Sequence, residues 1–317
     1  MTRRTFLAAG AAALSAGAAH SAEQKSLQVR LGHGPNDRLL MIHADDIGMS
    51  HSVNAASIRA MTEGVVSSGS VMVPCPWFPE IAKWQREHPD ADLGLHLTLT
   101  SEWSLYRWRP VAPPDRVKGL LDSEGFMWRQ VEDVVRHARP EEIEIEIRAQ
   151  IARARQFGMK PTHVDSHMGT LFAHPPFFEV YTRVAQEVGL LPMLMEPSPE
   201  TLDSARSVGV DYAPLAARLK GQGFTLLSRL STGLSGDTLE KRRAVFQEFA
   251  RGLKPGVTEL IVHLASDDEE IRHITGNWRN RYNELVLFTD PATRAFLDAE
   301  GIKRVGYREL AKLWKPA

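Results

Sequence analysis

Covalent crosslinks are almost excluded from this sequence: Cys75 is the single cysteine in 317 residues, so no internal disulfide can form and a packed core must stabilise the chain. Neither sign of charge is in excess, with 38 Lys and Arg against 39 Asp and Glu for a formal net charge of −1. That balance argues against nucleic acid or an anionic membrane surface as a partner. Past about residue 19 no apolar run approaches the ~20 residues that a spanning helix needs. Internal repeats and low-complexity linkers are also missing, so residues 23–317 are expected to form one folded unit.

What is present begins with Thr2-Arg3-Arg4-Thr5-Phe6-Leu7, two arginines ahead of an alanine-rich apolar stretch that runs to Ala19. This is the layout of a twin-arginine export signal over residues 1–22, with small residues permitting a cut after Ser21 or after Ala22. The expected destination is the periplasm or the exterior. Twin-arginine export carries chains that are already folded, often with a metal inside, which agrees with a metalloenzyme without naming a reaction.

Downstream, short apolar runs alternate with longer segments of helical period, the pattern of repeated βα units around a parallel sheet. Eight runs read as strands: Leu39–His43, Gly69–Val73, Leu93–Leu97, Pro161–Asp165, Pro192–Met195, Phe224–Leu227, Glu259–His263 and Lys303–Gly306. Helices are expected after Ser50, a plausible N-cap ahead of Val53 and Ile58, after Pro79, and along the Ile143, Ile147, Ile151 stripe that stops at Gly158. Further helices are expected over Phe177–Val188, Leu239–Leu253 and Pro291–Glu300. The fold class is therefore α/β, an irregular barrel of seven to eight parallel strands. The segment Ser101–Pro140, with Trp103, Tyr106, Trp108 and Trp128, is long for a loop and reads as a lid or sugar-stacking platform, or else as a satellite core. Arg272–Tyr282, with Trp278, is a second aromatic and basic stretch suited to the opposite rim.

Polar clusters fall at the C-terminal ends of the expected strands, which is the catalytic face of parallel barrels. The first strand delivers Asp45 and Asp46, the third ends on His96, the fourth carries His163, Asp165 and His167 on one face by its period of two, and the seventh ends on His263. An Asp with two His from three different strands makes an open three-ligand site with a position left for water. A divalent ion there acidifies water and polarises a carbonyl. Asp45 fits a general base and His263 a general acid, while Asp165 can orient one of the histidines through its second nitrogen. His43 and His163 read as structural or outer-layer residues.

The stretch Ile42-His43-Ala44-Asp45-Asp46-Ile47-Gly48-Met49-Ser50 resembles the "NADDFG-S" segment that opens the YdjC-like family, which includes chitooligosaccharide and hopanoid-associated deacetylases. Gly94-Leu95-His96-Leu97-Thr98-Leu99 is similar to that family's "G-H--L" segment, Lys160–His167 to its "KPTH-DSH", and Val262-His263 to its late histidine strand. The resemblance runs from about Leu39 to Leu310. It implies a barrel related to the polysaccharide deacetylases and hydrolysis of an N-acetyl group from an amino sugar or acetylated glycoconjugate. It also implies one divalent ion on Asp46, His96 and His167, with Asp45 as general base and His263 as general acid. Magnesium is the ion usual for the family, whereas the histidine-rich set suits zinc or another transition metal. The chain departs from the pattern after the "DSH" match, where Met168-Gly169-Thr170-Leu171-Phe172 replaces further histidines, so the floor of its substrate site is expected to differ.

Other readings of the same residues are an iron oxygenase with a facial triad, a non-catalytic exported sugar-binding protein, and a hydrolase of a phosphoester or a non-sugar amide. The alternating βα pattern counts against the first, because that triad usually sits on a β-rich fold. Retention of both Asp45 and His263 counts against the second.

Overall fold

Leu39, Leu40, Met41 and Ile42 have no polar face to offer water, so the strand they form must be covered on both sides. β1 (Arg38–Ile47) accordingly lies at the centre of the sheet, buried along nine of its ten positions. The computed structural model describes residues 25–207 and 209–314. The expected export signal and its cleavage points lie outside the described residues.

All the ladders are parallel. β2 (Ser68–Val71), β3 (Leu93–Leu97), β4 (His163–Ser166) and β5 (Leu191–Pro192) extend to one side of β1, and β7 (Gly256–Val262) and then β6 (Arg229–Ser231) to the other. β8 (Lys303–Arg304) pairs with Leu39 and Leu40 at the start of β1, and β2 takes over further along, from His43 to Ile47. A single parallel bridge, Met195 with Leu227, joins the two outer edges beyond β5 and before β6. The result is the expected α/β barrel with an irregular seam: β8 is wedged in at the bottom and one bridge closes the far side.

The sixth strand is where the sequence reading is corrected. Phe224–Leu227 contributes only the bridge at Leu227, and the ladder to β7 forms at Arg229–Ser231. The apolar run is buried as core, while the paired residues are half-buried at an edge and so carry no apolar signature. The fifth strand likewise shortens to two residues.

Helices cover the outside. Ser50 caps the helix His51–Thr62 by accepting from the Val53 N–H at 3.2 Å. The Ile143, Ile147, Ile151 stripe forms one helix, Pro140–Gln156, as expected. Two helices without an obvious stripe, Pro199–Ser207 and Tyr212–Gly221, fill the gap between β5 and β6. Among the described residues no helix is long and apolar enough to cross a membrane.

Candidate metal centre

Three strand ends bring the donors together. Asp46 sits at the end of β1 with φ of 63°, a left-handed conformation unusual for a residue other than glycine and of order 1 kcal/mol or more in strain. Gly48 follows at φ of 91°, where an added Cβ would lie 3.2 Å from the Met72 carbonyl. This turn separates the two neighbouring carboxylates: Asp45 meets β2, and Asp46 meets a helix from the far end of the chain. His96, next to last in β3, pairs opposite Asp165 of β4, and His167 leaves β4 into a 3-10 turn that Met168 and Gly169 bend with positive φ.

The donor atoms of Asp46, His96 and His167 lie within 4.8 Å of one another, and all three residues are buried. Asp46 Oδ1 is 3.7 Å from His96 Nε2 and 3.4 Å from His167 Nδ1, and it accepts no hydrogen bond. The opposite atom of each residue is held. Asp46 Oδ2 accepts from Arg281 Nη2 at 2.6 Å, His96 Nδ1 bonds Asp165 Oδ1 at 2.6 Å, and His167 Nε2 bonds Glu102 Oε2 at 3.0 Å. Outer partners of this kind fix the ring orientation of a metal ligand and turn the free nitrogen inward.

Charge favours a cation at the centre. Burial works against the ionised form of Asp46, yet Arg281 first, then His167, hold its carboxyl well below the usual range. Burial also works against the charged form of His167, but Glu102 and Asp46 carry it up to about 10. His96 is raised as well, by Asp45 and Asp165 against the pull of burial. A metal ion binding at these rings would compete with their protons.

The other residues anticipated from sequence gather at the same place. Asp45 Oδ1 accepts from Ser70 Oγ at 3.2 Å and lies 3.3 Å from His43 Nε2, while its Oδ2 is 3.7 Å from His96 Nε2. His263 follows Val262, which pairs in register with Ala44, so His263 and Asp45 leave neighbouring strands side by side. Its backbone N–H donates to Glu284 Oε2 at 2.7 Å. Burial keeps the His263 imidazole below its ordinary range, with Asp46 and Asp45 opposing. His43 and His163 are fully buried deeper in the barrel.

Arg281, Glu102, Glu284 and Ser70 were not singled out from the sequence. Two of them lay inside stretches that were. Trp108 in Ser101–Pro140 and Ile271 beside the later stretch pack with Met49, Val53 and Met72 into a second apolar cluster against which Trp103, Tyr106 and Trp278 lean. The satellite-core reading thus holds for most of these aromatics. The same segments also reach the centre, through Glu102 and Arg281, and the Trp108 ring lies 6.5 Å from that of His167.

The pattern of the family described as YdjC-like protein matches residues 39–299. A carbohydrate deacetylase of Thermus thermophilus is 33% identical over 269 residues, covering 84% of this chain and 92% of the relative. One of Brevibacillus brevis is 30% identical over 275 residues, covering 86% and 99%, and a chitooligosaccharide deacetylase of Yersinia enterocolitica is 27% identical over 284 residues, covering 86% and 97%. Among solved structures, a protein of Enterococcus faecalis named for cellobiose-phosphate cleavage superposes with a TM-score of 0.71 at 24% identity, covering 86% of this chain and 99% of that one, which speaks for the fold.

Proposed function

The chain belongs to the YdjC-like family, and from that premise and the geometry of the centre we propose that it is a metal-dependent hydrolase that removes the N-acetyl group from an amino sugar or acetylated glycoconjugate. The observation that carries the metal is Asp46 Oδ1, a buried carboxylate oxygen without a hydrogen bond that faces two imidazole nitrogens. The residues fit such an ion: Asp46, His96 and His167 would hold it, and Arg281, Asp165 and Glu102 keep them aimed. When bound, the ion supplies Lewis acidity to the acetyl carbonyl and acidifies water. Two nitrogens and one oxygen suit zinc or another transition metal, with magnesium the ion suggested by family resemblance.

The chain's own groups handle the protons. Asp45, adjacent to the ligand Asp46 yet turned to a different partner, accepts the proton of the attacking water at a carboxylate oxygen. Ser70 Oγ donates to that carboxylate and holds it in place from below. His263 stands at the neighbouring strand end and delivers a proton to the departing nitrogen. Burial opposes the protonated ring that this step needs, and the Asp46 and Asp45 carboxylates favour it. Glu284 fixes the backbone from which His263 projects.

The names of the relatives support an acetylated carbohydrate as substrate. The Arg3-Arg4 pair and the apolar stretch after it support action outside the cytoplasm. Incubating metal-stripped protein with N-acetylated sugars, O-acetylated sugars and phosphosugars, restoring one divalent ion at a time, tests the reading. Free amine and acetate from the N-acetylated set alone are expected. Phosphate release would move the reaction to another bond, and sugar binding without turnover would make the chain a binding protein.

A further inference from the structure

Below the Asp46, His96 and His167 donors the barrel interior carries a second polar set, of which the proposed reaction uses only Asp165 Oδ1. His43 on β1, His163 and Asp165 on β4, and Glu259 on β7 are almost or wholly without solvent exposure. One donor atom each from His43, His163 and Asp165 falls within 4.8 Å of the others. His43 Nε2 is 3.1 Å from Asp165 Oδ2, and His163 Nε2 is 4.0 Å from the same oxygen.

The hydrogen bonds fix the tautomer of His163. Thr162 Oγ1 gives its only proton to Asp92 Oδ1 at 2.5 Å, so the 2.9 Å contact between Thr162 Oγ1 and His163 Nδ1 requires the ring proton on Nδ1. His163 Nε2 is then a bare lone pair, buried without a hydrogen-bond partner, and it faces a carboxylate oxygen. Asp165 Oδ2 is met by His43 Nε2, whereas the His163 lone pair is met by nothing, which is costly unless something positive reaches it. The ring is locked in this pose. Its face stacks on Tyr307 at 3.8 Å, and it passes so close to β3 that a Cβ on Gly94 would collide with it.

As in the upper centre, inner atoms converge and the outer atoms of His163 and Asp165 are held; His43 differs, its outer Nδ1 lacking a hydrogen bond while its inner Nε2 bonds Asp165 Oδ2 and Ser70 Oγ, so an ion there displaces a proton. His43 Nδ1 faces Glu259 Oε1 at 3.7 Å, and Glu259 Oε2 accepts from Tyr307 Oη at 2.7 Å. His163 Nδ1 is held by Thr162, and Asp165 Oδ1 by His96. Ser70 Oγ adds one more oxygen on this side, 3.1 Å from His43 Nε2.

We propose that His43 Nε2, His163 Nε2 and Asp165 Oδ2 form a second cation site, one layer deeper in the barrel, that takes zinc or another transition ion. Two imidazoles and one carboxylate select that class over magnesium or calcium. An ion there offsets the carboxylates of Asp45, Asp165 and Glu259, which the interior otherwise crowds around one imidazole. Asp165 links the two centres, its Oδ1 orienting His96 and its Oδ2 serving the inner ion. The site does not depend on the bond hydrolysed above it.

The test counts ions. Folded, metal-stripped protein is refilled with excess zinc, freed of unbound metal by gel filtration and assayed by mass spectrometry of the metal. The wild type is expected to hold two zinc ions per chain, His163→Phe one, and His167→Ala one. His163→Phe keeps an aromatic ring against Tyr307 while removing the lone pair, and His43→Asn is read in its place if that variant does not fold. A single zinc in the wild type, or a second zinc that survives both inner substitutions, would overturn the proposal. Because acetate is not the readout, failure of the deacetylase reading would leave this count unaffected.

Discussion

Replacing Arg281 with methionine strips one charge from a buried pair and strands the other. Arg281 Nη2 donates to Asp46 Oδ2 over 2.6 Å, with the two residues 6% and 2% exposed. Methionine retains much of the packing of the arginine stem, so the loss is chiefly electrostatic. Removing one partner of a buried pair costs about 3–5 kcal/mol. At roughly 2 °C of melting temperature per kcal/mol for a domain of this size, the metal-free variant should melt ~6–10 °C below the wild type. A cation bound beside Asp46 replaces the missing charge, so with saturating zinc the gap should shrink to less than half. Adding Asp46→Asn removes the stranded carboxylate and should recover part of the loss without metal, but no longer respond to it. Scanning calorimetry with and without zinc reads all three. Equal depressions with and without metal would refute the claim that Asp46 faces a cation. An unchanged metal-free melting temperature would refute the claim that Arg281 carries the charge of Asp46.

Two further outcomes follow from the same contacts. Asp165→Asn weakens the hold on His96 Nδ1 and should lower metal affinity at the Asp46, His96 and His167 centre by ~10–100-fold in competition with a chelator. Undiminished affinity would remove Asp165 from its orienting role. Glu146, buried and accepting from the Val111 and Ala112 N–H groups, is pushed by burial from the ordinary 4.5 up to about 7. Its folded form therefore keeps a proton that the unfolded chain has released, so its effect on stability is lost as pH rises from about 4.5 to about 7, by up to about 1.4 kcal/mol per pH unit. Glu146→Gln should flatten that part of the stability–pH curve, and a curve that stays as steep would show that Glu146 titrates normally.

The residues that reach the centre from strand ends were readable because strands announce themselves. The run Leu39–Ile42 ends on two carboxylates, and the period of two on β4 puts His163, Asp165 and His167 on one face, so Asp45, Asp46, His96, Asp165, His167 and His263 could be named before any coordinates. The residues that aim them could not. Arg281 comes from a helix more than two hundred positions after Asp46, and Glu102 from the first turn of a long excursion, and neither position differs locally from an ordinary surface charge. The inner set was visible only as single histidines, since the lone pair on His163 depends on Thr162, Asp92, Tyr307 and Gly94 together. In the fold, β6 was displaced because its paired residues lie half-buried at an edge, while the adjacent apolar run serves the core instead of the ladder.

The proposed function has a metal on Asp46, His96 and His167 working beside a separate base, Asp45, and one comparison separates those roles. Acetate release from an N-acetylated sugar is followed as metal is titrated into stripped wild type and stripped Asp45→Asn, with bound metal counted in the same samples. Both proteins are expected to take up metal alike, while the variant turns over ~10²–10⁴-fold more slowly. Full activity in Asp45→Asn, or release of acetate that does not rise with bound metal in the wild type, would contradict this division of labour.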